Sequence, residues 1–173
     1  MEKQTHPVIV FDATECVISR PVNSVLANIM YSGYKKKHTV KYEVAVCETN
    51  GTPLSVVGPV AGPTSDMTIY RMKVRGILKK KGWLGLADGT YQGDYKYLVV
   101  PPRPYRDLTD RQRRFHHRLS KRRVIVESLF ARMKNFRCLN VRWRHSIFKH
   151  KWIFHVLVNS LSMEYRPLKL KLK

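Results

Sequence analysis

The chain has 173 residues and a mass of 20.3 kDa, which suits one domain, and its 43% hydrophobic content is too high for a disordered polycation. Lysine and arginine number 33 against 12 aspartate and glutamate, a formal charge of +21 that predicts a polyanionic partner. No stretch reaches the roughly 18 apolar residues of a membrane span, the N-terminus has no signal-peptide pattern, and Cys16, Cys47 and Cys138 are scattered without a CxxC pair, against a disulfide scaffold or zinc finger. These features predict a soluble, intracellular, basic protein with no membrane partner, nuclear in a eukaryote and cytoplasmic or nucleoid-bound in a bacterium.

Residues 7–13, PVIVFDA, form a β-branched apolar run that predicts a buried strand. The polar stretch at 19–37 predicts only a turn at Gly33. Residues 38–48 alternate and are rich in Val and Tyr, so they predict a second strand. Asn50-Gly51 signals a hairpin, with the third strand at 52–60. The segment AGPTSD predicts a helix entry capped by Thr64 or Ser65, with one helix over 66–80. The run WLGLAD at 83–88 ends in an acid, and YLVV at 97–100 predicts a strand stopped by Pro101-Pro102. From Asp107 to Asn135 there is no Pro or Gly, and Leu119, Val126, Phe130 and Met133 mark the apolar side of a long helix. Residues 147–163 predict another helix, and the tail PLKLKLK has no assigned structure. The order predicts an α/β fold, a mixed sheet with helices on its faces. Residues 1–165 read as one domain and 166–173 as a basic tail.

The acids are few, so their places are informative. Asp12 ends the run VIVF, Asp88 ends LGLA, and Glu127 follows VIV inside the long helix. Carboxylates are rarely buried unless paired or bound to metal. Glu127 shares a helix face with Val124, Phe130 and Ala131, so packing of that face would aim it at the sheet. Asp12 and Asp88 at the C-terminal ends of neighbouring strands would converge where α/β sheets place their sites. Three clustered carboxylates require cations, and all-oxygen ligands select Mg²⁺ or Mn²⁺. Two such ions can activate a water and stabilise the leaving oxygen of a phosphodiester. Taken singly, each acid also reads as a turn or cap residue.

Four blocks then carry a resemblance: FDATECVISRP at 11–21, YKKKHTVKYEVAV at 34–46 with GPTSDMTIYR at 62–71, LADGTYQG at 86–93, and RVIVESLFARMKNFR at 123–137. In order and content they resemble the DDE endonuclease domain of the PIF/Harbinger transposases and their bacterial insertion-sequence relatives. The resemblance spans about residues 8–160. It implies an RNase H-like, mixed five-stranded sheet flanked by helices. It also implies a metal-binding catalytic triad of Asp12, Asp88 and Glu127, two Mg²⁺ or Mn²⁺ ions, and cleavage and joining of DNA strands at transposon ends. Where the second acid is usually followed two residues later by glycine, this chain has Thr90. Family members usually carry a helix-turn-helix region ahead of this domain, and here Asp12 follows only eleven residues. The resemblance therefore implies a fragment, a remnant, or a catalytic subunit whose DNA-binding partner is a separate protein; a homo-oligomer is compatible with it.

Arg111, Arg113, Arg114, Arg118, Lys121, Arg122 and Arg123 crowd the approach to Glu127, and Arg132 and Lys134 follow it. With Lys35, Lys36 and Lys37 they predict contacts to DNA phosphates. The plainer reading of such a run is a solvated helix face. Trp83, Tyr91 and Trp143 could stack on bases or fill the core. Asp66 reads as a first-turn acid at a helix N-terminus. His116 and His117 are adjacent and do not form a metal pair on a helix. The alternative function is a domesticated, catalytically silent DNA-binding protein derived from a transposase. A third is an RNA-binding protein, which leaves the acid-terminated runs unexplained.

Overall fold

The computed structural model describes residues 8–101 and 108–163. Pro102, Asp107 and the tail at 166–173 lie outside the described residues. In chain order the elements are β1 (Val8–Val17), α1 (Ser24–Met30), β2 (Tyr31–Ser32), β3 (Lys37–Cys47), β4 (Pro53–Ala61), α2 (Asp66–Met72), α3 (Val74–Lys81), β5 (Leu84–Leu86), β6 (Leu98–Val99), α4 (Asp110–Met133), α5 (Arg137–Asn140) and α6 (Ile147–Met163).

The first three long strands form an antiparallel meander, with β3 between β1 and β4. On its other edge β1 pairs in parallel with β5, and β5 with β6. The path β4–β3–β1–β5–β6 is the mixed five-stranded sheet of an RNase H-like fold, and β2 adds a two-residue sixth strand against the start of β3.

Side-chain alternation along β1 and β3 divides the interior in two. Val10, Cys16, Val40, Tyr42, Val44 and Val46 face a core closed by α4 and α6 through Val126, Phe130, Met133, Phe154 and Val158. Ile9, Phe11 and Ala45 face a second core closed by Tyr70, Val74, Leu78 and Tyr91. Helices thus cover both faces of one sheet. Tyr91 is fully buried, and Trp83 and Trp143 pack against the two cores. These aromatics are structural, and the indole N–H of Trp143 donates to Ser146 O at 3.0 Å.

The structure differs from the sequence expectation at four places. The strand expected at 7–13 runs on to Val17, because β3 continues to pair with it through Val17↔Thr39. Asp12 is therefore in mid-strand and not at a strand end. The single helix expected at 66–80 is two, since Lys73 leaves the helical region at φ −147°, ψ −54°. Tyr70, Val74 and Leu78 still enter one core. Within the polar stretch lies α1, whose cap Asn23 accepts from the N–H of Leu26 at 3.0 Å. Finally, Val124 is 51% exposed, and Ala131 and Glu127 are exposed too. Of that face only Phe130 is buried, and the helix packs through it together with Ile125, Val126 and Leu129.

Two glycines set the path into β5. Gly82 ends α3 in the left-handed conformation at φ 66°, where a side chain is strained. A Cβ on Gly85 would lie 2.7 Å from Phe11 Cε1 and 2.9 Å from Leu78 Cδ1. Only glycine lets α3 close over β5. Gly85→Ala is expected to lose roughly 1–3 kcal/mol of stability through overpacking, read as a lower midpoint in urea.

His150 supplies a pH-dependent contribution. It is fully buried, stacked on Tyr42, with Nδ1 2.8 Å from the Tyr42 hydroxyl and Nε2 unpartnered. Burial lowers its pKa to about 4, below the 6.5 of an open ring. The neutral ring is favoured by folding, so its contribution is whole above pH 6.5 and is lost as pH falls towards 4. Wild type should therefore lose roughly 2–3 kcal/mol more than His150→Phe between pH 7 and pH 4, measured by urea unfolding at each pH.

Candidate active site

The register of β1 against β5 brings the first two acids together. Val10 is opposite Leu86 in the parallel pair. Asp12 lies two residues beyond Val10 on the same alternation of β1, and Asp88 lies two residues beyond Leu86, just past the end of β5. Both of those apolar residues face the α4 core. Asp12 is thus carried on the face that α4 covers, and α4 carries Glu127.

Arg123, one helical turn before Glu127, joins the two elements. Its Nη2 is 3.4 Å from Asp12 Oδ2 and 3.5 Å from Glu127 Oε1. The two carboxylate oxygens are therefore no further apart than the sum of those distances. Arg123 is only 12% exposed, against 50% for Glu127. Its Nε is buried without a partner.

A second chain of polar contacts approaches from the opposite side. Thr39, Lys41 and Glu43 occupy the odd positions of β3, the face turned towards α2. Lys41 Nζ donates to Thr64 O at 2.8 Å and to Asp66 Oδ1 at 3.1 Å, and sits 3.7 Å from Glu15 Oε1. Thr39 donates to Glu15 Oε2 at 2.8 Å. Asp66 Oδ2 accepts from the Thr90 hydroxyl at 3.0 Å, and Thr90 also contacts Asp88 through its hydroxyl and through its N–H at 2.8 Å. Thr90, the departure from the family pattern, links Asp88 to Asp66. Asp66 begins α2, as expected of a first-turn acid, and it also borders the cleft.

The cleft has a volume of about 770 Å³ and is bordered by Asp12, Asp66, Asp88, Lys35, Lys41 and Lys134 among others. Its carboxylates feel one another. Burial raises the Asp12 pKa to about 6, with smaller upward contributions from Asp88 and Asp66; the Ala13 N–H and the Arg123 charge act the other way. Glu43, fully buried with both oxygens unpartnered, is pushed up to about 8 by burial and is neutral at pH 7. Sequence reasoning missed Glu43, Lys41 and the bridging place of Arg123. The signal was the alternation of TVKYEV at 39–44, with polar residues on every second position of an otherwise apolar strand.

Among the described residues, no three His, Cys, Asp or Glu side chains are drawn up around one point as a metal cage. The donor set nevertheless suits a hard cation. All donors are carboxylate oxygens, burial and, to a smaller extent, Asp88 and Asp66 raise Asp12, and a guanidinium already lies between Asp12 and Glu127.

The cations expected to meet DNA divide. Arg122 pairs with Glu48, Arg123 with Asp12 and Glu127, and Arg113 with Asp110. Arg132 donates to Leu161 O at 2.9 Å and ties α4 to α6. Arg111, Arg114, Arg118 and Lys121 are exposed on the N-terminal half of α4. Lys35 and Lys134 border the acid cleft, while Lys36 and Lys37 line its neighbour.

Residues 11–159 match the family described as DDE superfamily endonuclease. Over 143 residues the chain is 25% identical to the "Probable transposase for insertion sequence element IS702" of Microchaete diplosiphon, covering 80% of this chain. The chain spans about half the length of that relative. No solved structure matches it.

If Arg123 serves as the counter-charge of the site, Arg123→Gln leaves two carboxylates unneutralised. The variant should lose about 1–3 kcal/mol, less than for a fully buried pair because Glu127 is half exposed. Added Mn²⁺ should then raise its thermal midpoint more than that of wild type. Equal responses in differential scanning fluorimetry would remove the idea.

Proposed function

The chain belongs to the DDE superfamily endonucleases, and from that membership we propose that Asp12, Asp88 and Glu127 are the catalytic, metal-binding acids of a DNA-cleaving and DNA-joining domain. The observation that carries this reading is the shared level of Asp12 and Asp88 beyond the Val10↔Leu86 pair, with Glu127 brought to Asp12 through Arg123.

Asp12 and Asp88 are held by elements that cannot shift independently, since β1 is hydrogen-bonded on both edges. Thr90 fixes the rotamer of Asp88 through two contacts. Glu127, on the open border of α4, is the acid best placed to adjust. A pair of Mg²⁺ or Mn²⁺ ions on these carboxylates supplies an activated water or 3′-hydroxyl and stabilisation of the leaving oxygen. Arg123 competes with a cation for Asp12 and Glu127 and keeps them paired in its absence. Lys35 and Lys134, on the cleft border, can meet the phosphates flanking the scissile bond.

Duplex DNA with transposon ends is the substrate of this reading. A separate DNA-binding partner protein and a homo-oligomer are compatible with it. Among the described residues both cores share one sheet, which supports reading them as one endonuclease domain, proposed here over 1–165 with a basic tail at 166–173. A second reading, a DNA-binding protein without catalysis, is favoured by the Arg123 contacts to two of the three acids.

A nicking assay on duplex DNA separates the two. With Mg²⁺ or Mn²⁺ the wild type should nick, and EDTA should stop it. Asp12→Asn, Asp88→Asn and Glu127→Gln should each lower the rate by roughly 10²-fold or more, the scale of losing one preorganised electrostatic element, with DNA affinity nearly unchanged. Full activity in any one variant removes that residue from the triad.

A further inference from the structure

A row of cations leads away from the acid cleft along a path that the charge run of α4 does not include. The turn after Ser32 lies on the border of two clefts. Tyr34 and Lys35 line the acid cleft, and Lys36 and Lys37 line the next one together with Arg20 and Arg142. Arg142 in turn lines a third cleft with Arg137, Arg144 and His145. The three clefts are thus joined, first by the turn and then by Arg142.

The path is fixed to the scaffold by backbone hydrogen bonds. Ile18 N donates to His38 O at 2.9 Å, which holds the start of β3. Trp143 N donates to Val17 O at 2.9 Å, and Ser19 N to Trp143 O at 2.8 Å, so the loop after α5 adds a parallel bridge at Ile18↔Trp143. Arg20, Lys37, Arg142 and Arg144 therefore project from three segments tied to one stretch of β1. From Asp12 to Ile18 is six residues of extended chain, about 20 Å, or roughly six base-pair rises of duplex.

The charge on this path is uncompensated. Neither the second nor the third cleft has an Asp or Glu in its lining. Among the described residues, Arg20, Lys36, Lys37, Arg137, Arg142 and Arg144 form no ion pair, whereas three arginines of α4 do. Six like charges held this close to one another favour a polyanion. The cations are spread over two clefts and reach the acid cleft through the turn at Lys35 and Lys36, a spread that suits a phosphodiester backbone better than a compact anion.

Resting on the nuclease reading above, we infer that the cations of Arg20, Lys36, Lys37, Arg142, Arg137 and Arg144 form the track along which duplex DNA lies as it enters the acid cleft. The N-terminal half of α4 is the lesser contact. Its outermost arginine, Arg111, is sixteen residues from Glu127, about 24 Å along the helix, and Arg113 is already paired with Asp110.

The test is binding of a fluorescent 30-base-pair duplex in EDTA, followed by anisotropy across a salt series. Two triple variants with equal charge loss are compared: Arg20→Ala/Arg142→Ala/Arg144→Ala on the track, and Arg111→Ala/Arg114→Ala/Arg118→Ala on α4. All six side chains are exposed. The track variant should bind at least about tenfold more weakly, and its slope of log K against log salt should shrink by about 2–3, near 0.9 per lost phosphate contact. The α4 variant should change by less than about a third of that slope. An equal or larger loss in the α4 variant, or an unchanged track variant, overturns the inference. Should the track triple not fold, the single charge reversal Arg144→Glu against Arg114→Glu gives the same comparison. Binding in EDTA needs no cleavage. A protein that binds along the track yet never nicks would sink the nuclease reading alone; one that nicks but ignores these arginines would sink the track alone.

Discussion

Two carboxylates at the same level of adjacent strands are the central electrostatic problem of this molecule. The parallel pairing of β1 with β5 cannot seat Val10 beside Leu86 without carrying Asp12 and Asp88 forward together. Burial raises Asp12 to about 6, with smaller contributions from the charges of Asp88 and Asp66. The fold answers from both sides of the sheet. Arg123 on α4 meets Asp12 and Glu127, and Lys41 on β3 meets Asp66 and Glu15. Each of these cations is 12% exposed, so each acts where screening by water is weak.

Much of this was legible because the relevant signals are local. The hairpin at Asn50-Gly51 needs only a left-handed Gly51, found at φ 70°, and the acid-terminated runs around Asp12 and Asp88 need only apolar strands. What failed was non-local. The run beyond Asp12 carries Thr14 and Glu15, which read as a strand exit, yet β3 pairs across them and extends β1 to Val17. Helix α1 buries only Ala27, while Val25, Leu26 and Ile29 remain exposed, so its apolar residues mark no core-facing stripe. The face of Glu127 with Val124, Phe130 and Ala131 looks apolar in sequence, but only Phe130 of it is buried, and the packing direction of α4 is decided by Val126, Phe130 and Met133. Its partner Arg123 could have been found as an i,i+4 pair, though not its contact to Asp12.

The excess of basic residues is not one surface. On α4, arginines are drawn into pairs with Glu48, Asp110, Asp12 and Glu127, or onto the Leu161 carbonyl. With only 12 acids available to 33 cations, most of the charge has no internal partner. Repulsion among the remainder works against the compact state, and a bound polyanion relieves it. A count along the sequence weights every arginine equally. The structure separates counter-charges that hold α4 to the sheet, Arg122 and Arg123, from exposed ones at the start of α4 and near the end of β1.

Glu43 shows how the two faces of the sheet divide this work. On β3 the even positions Val40, Tyr42 and Val44 build the α4 core, and the odd positions Thr39, Lys41 and Glu43 form a polar line under the acid cleft. Glu43 is one residue along from Val44, the partner of Asp12. Ionised, it would add another negative charge to those of Asp12 and Asp66, which both raise its pKa. Burial raises its pKa to about 8 and so favours the neutral form, which limits the negative charge it adds behind Asp12 and Asp66. The cost is two oxygens with no hydrogen-bond partner in the interior. An apolar residue at 43 would avoid that cost with the same charge balance, so charge alone does not account for a glutamate there.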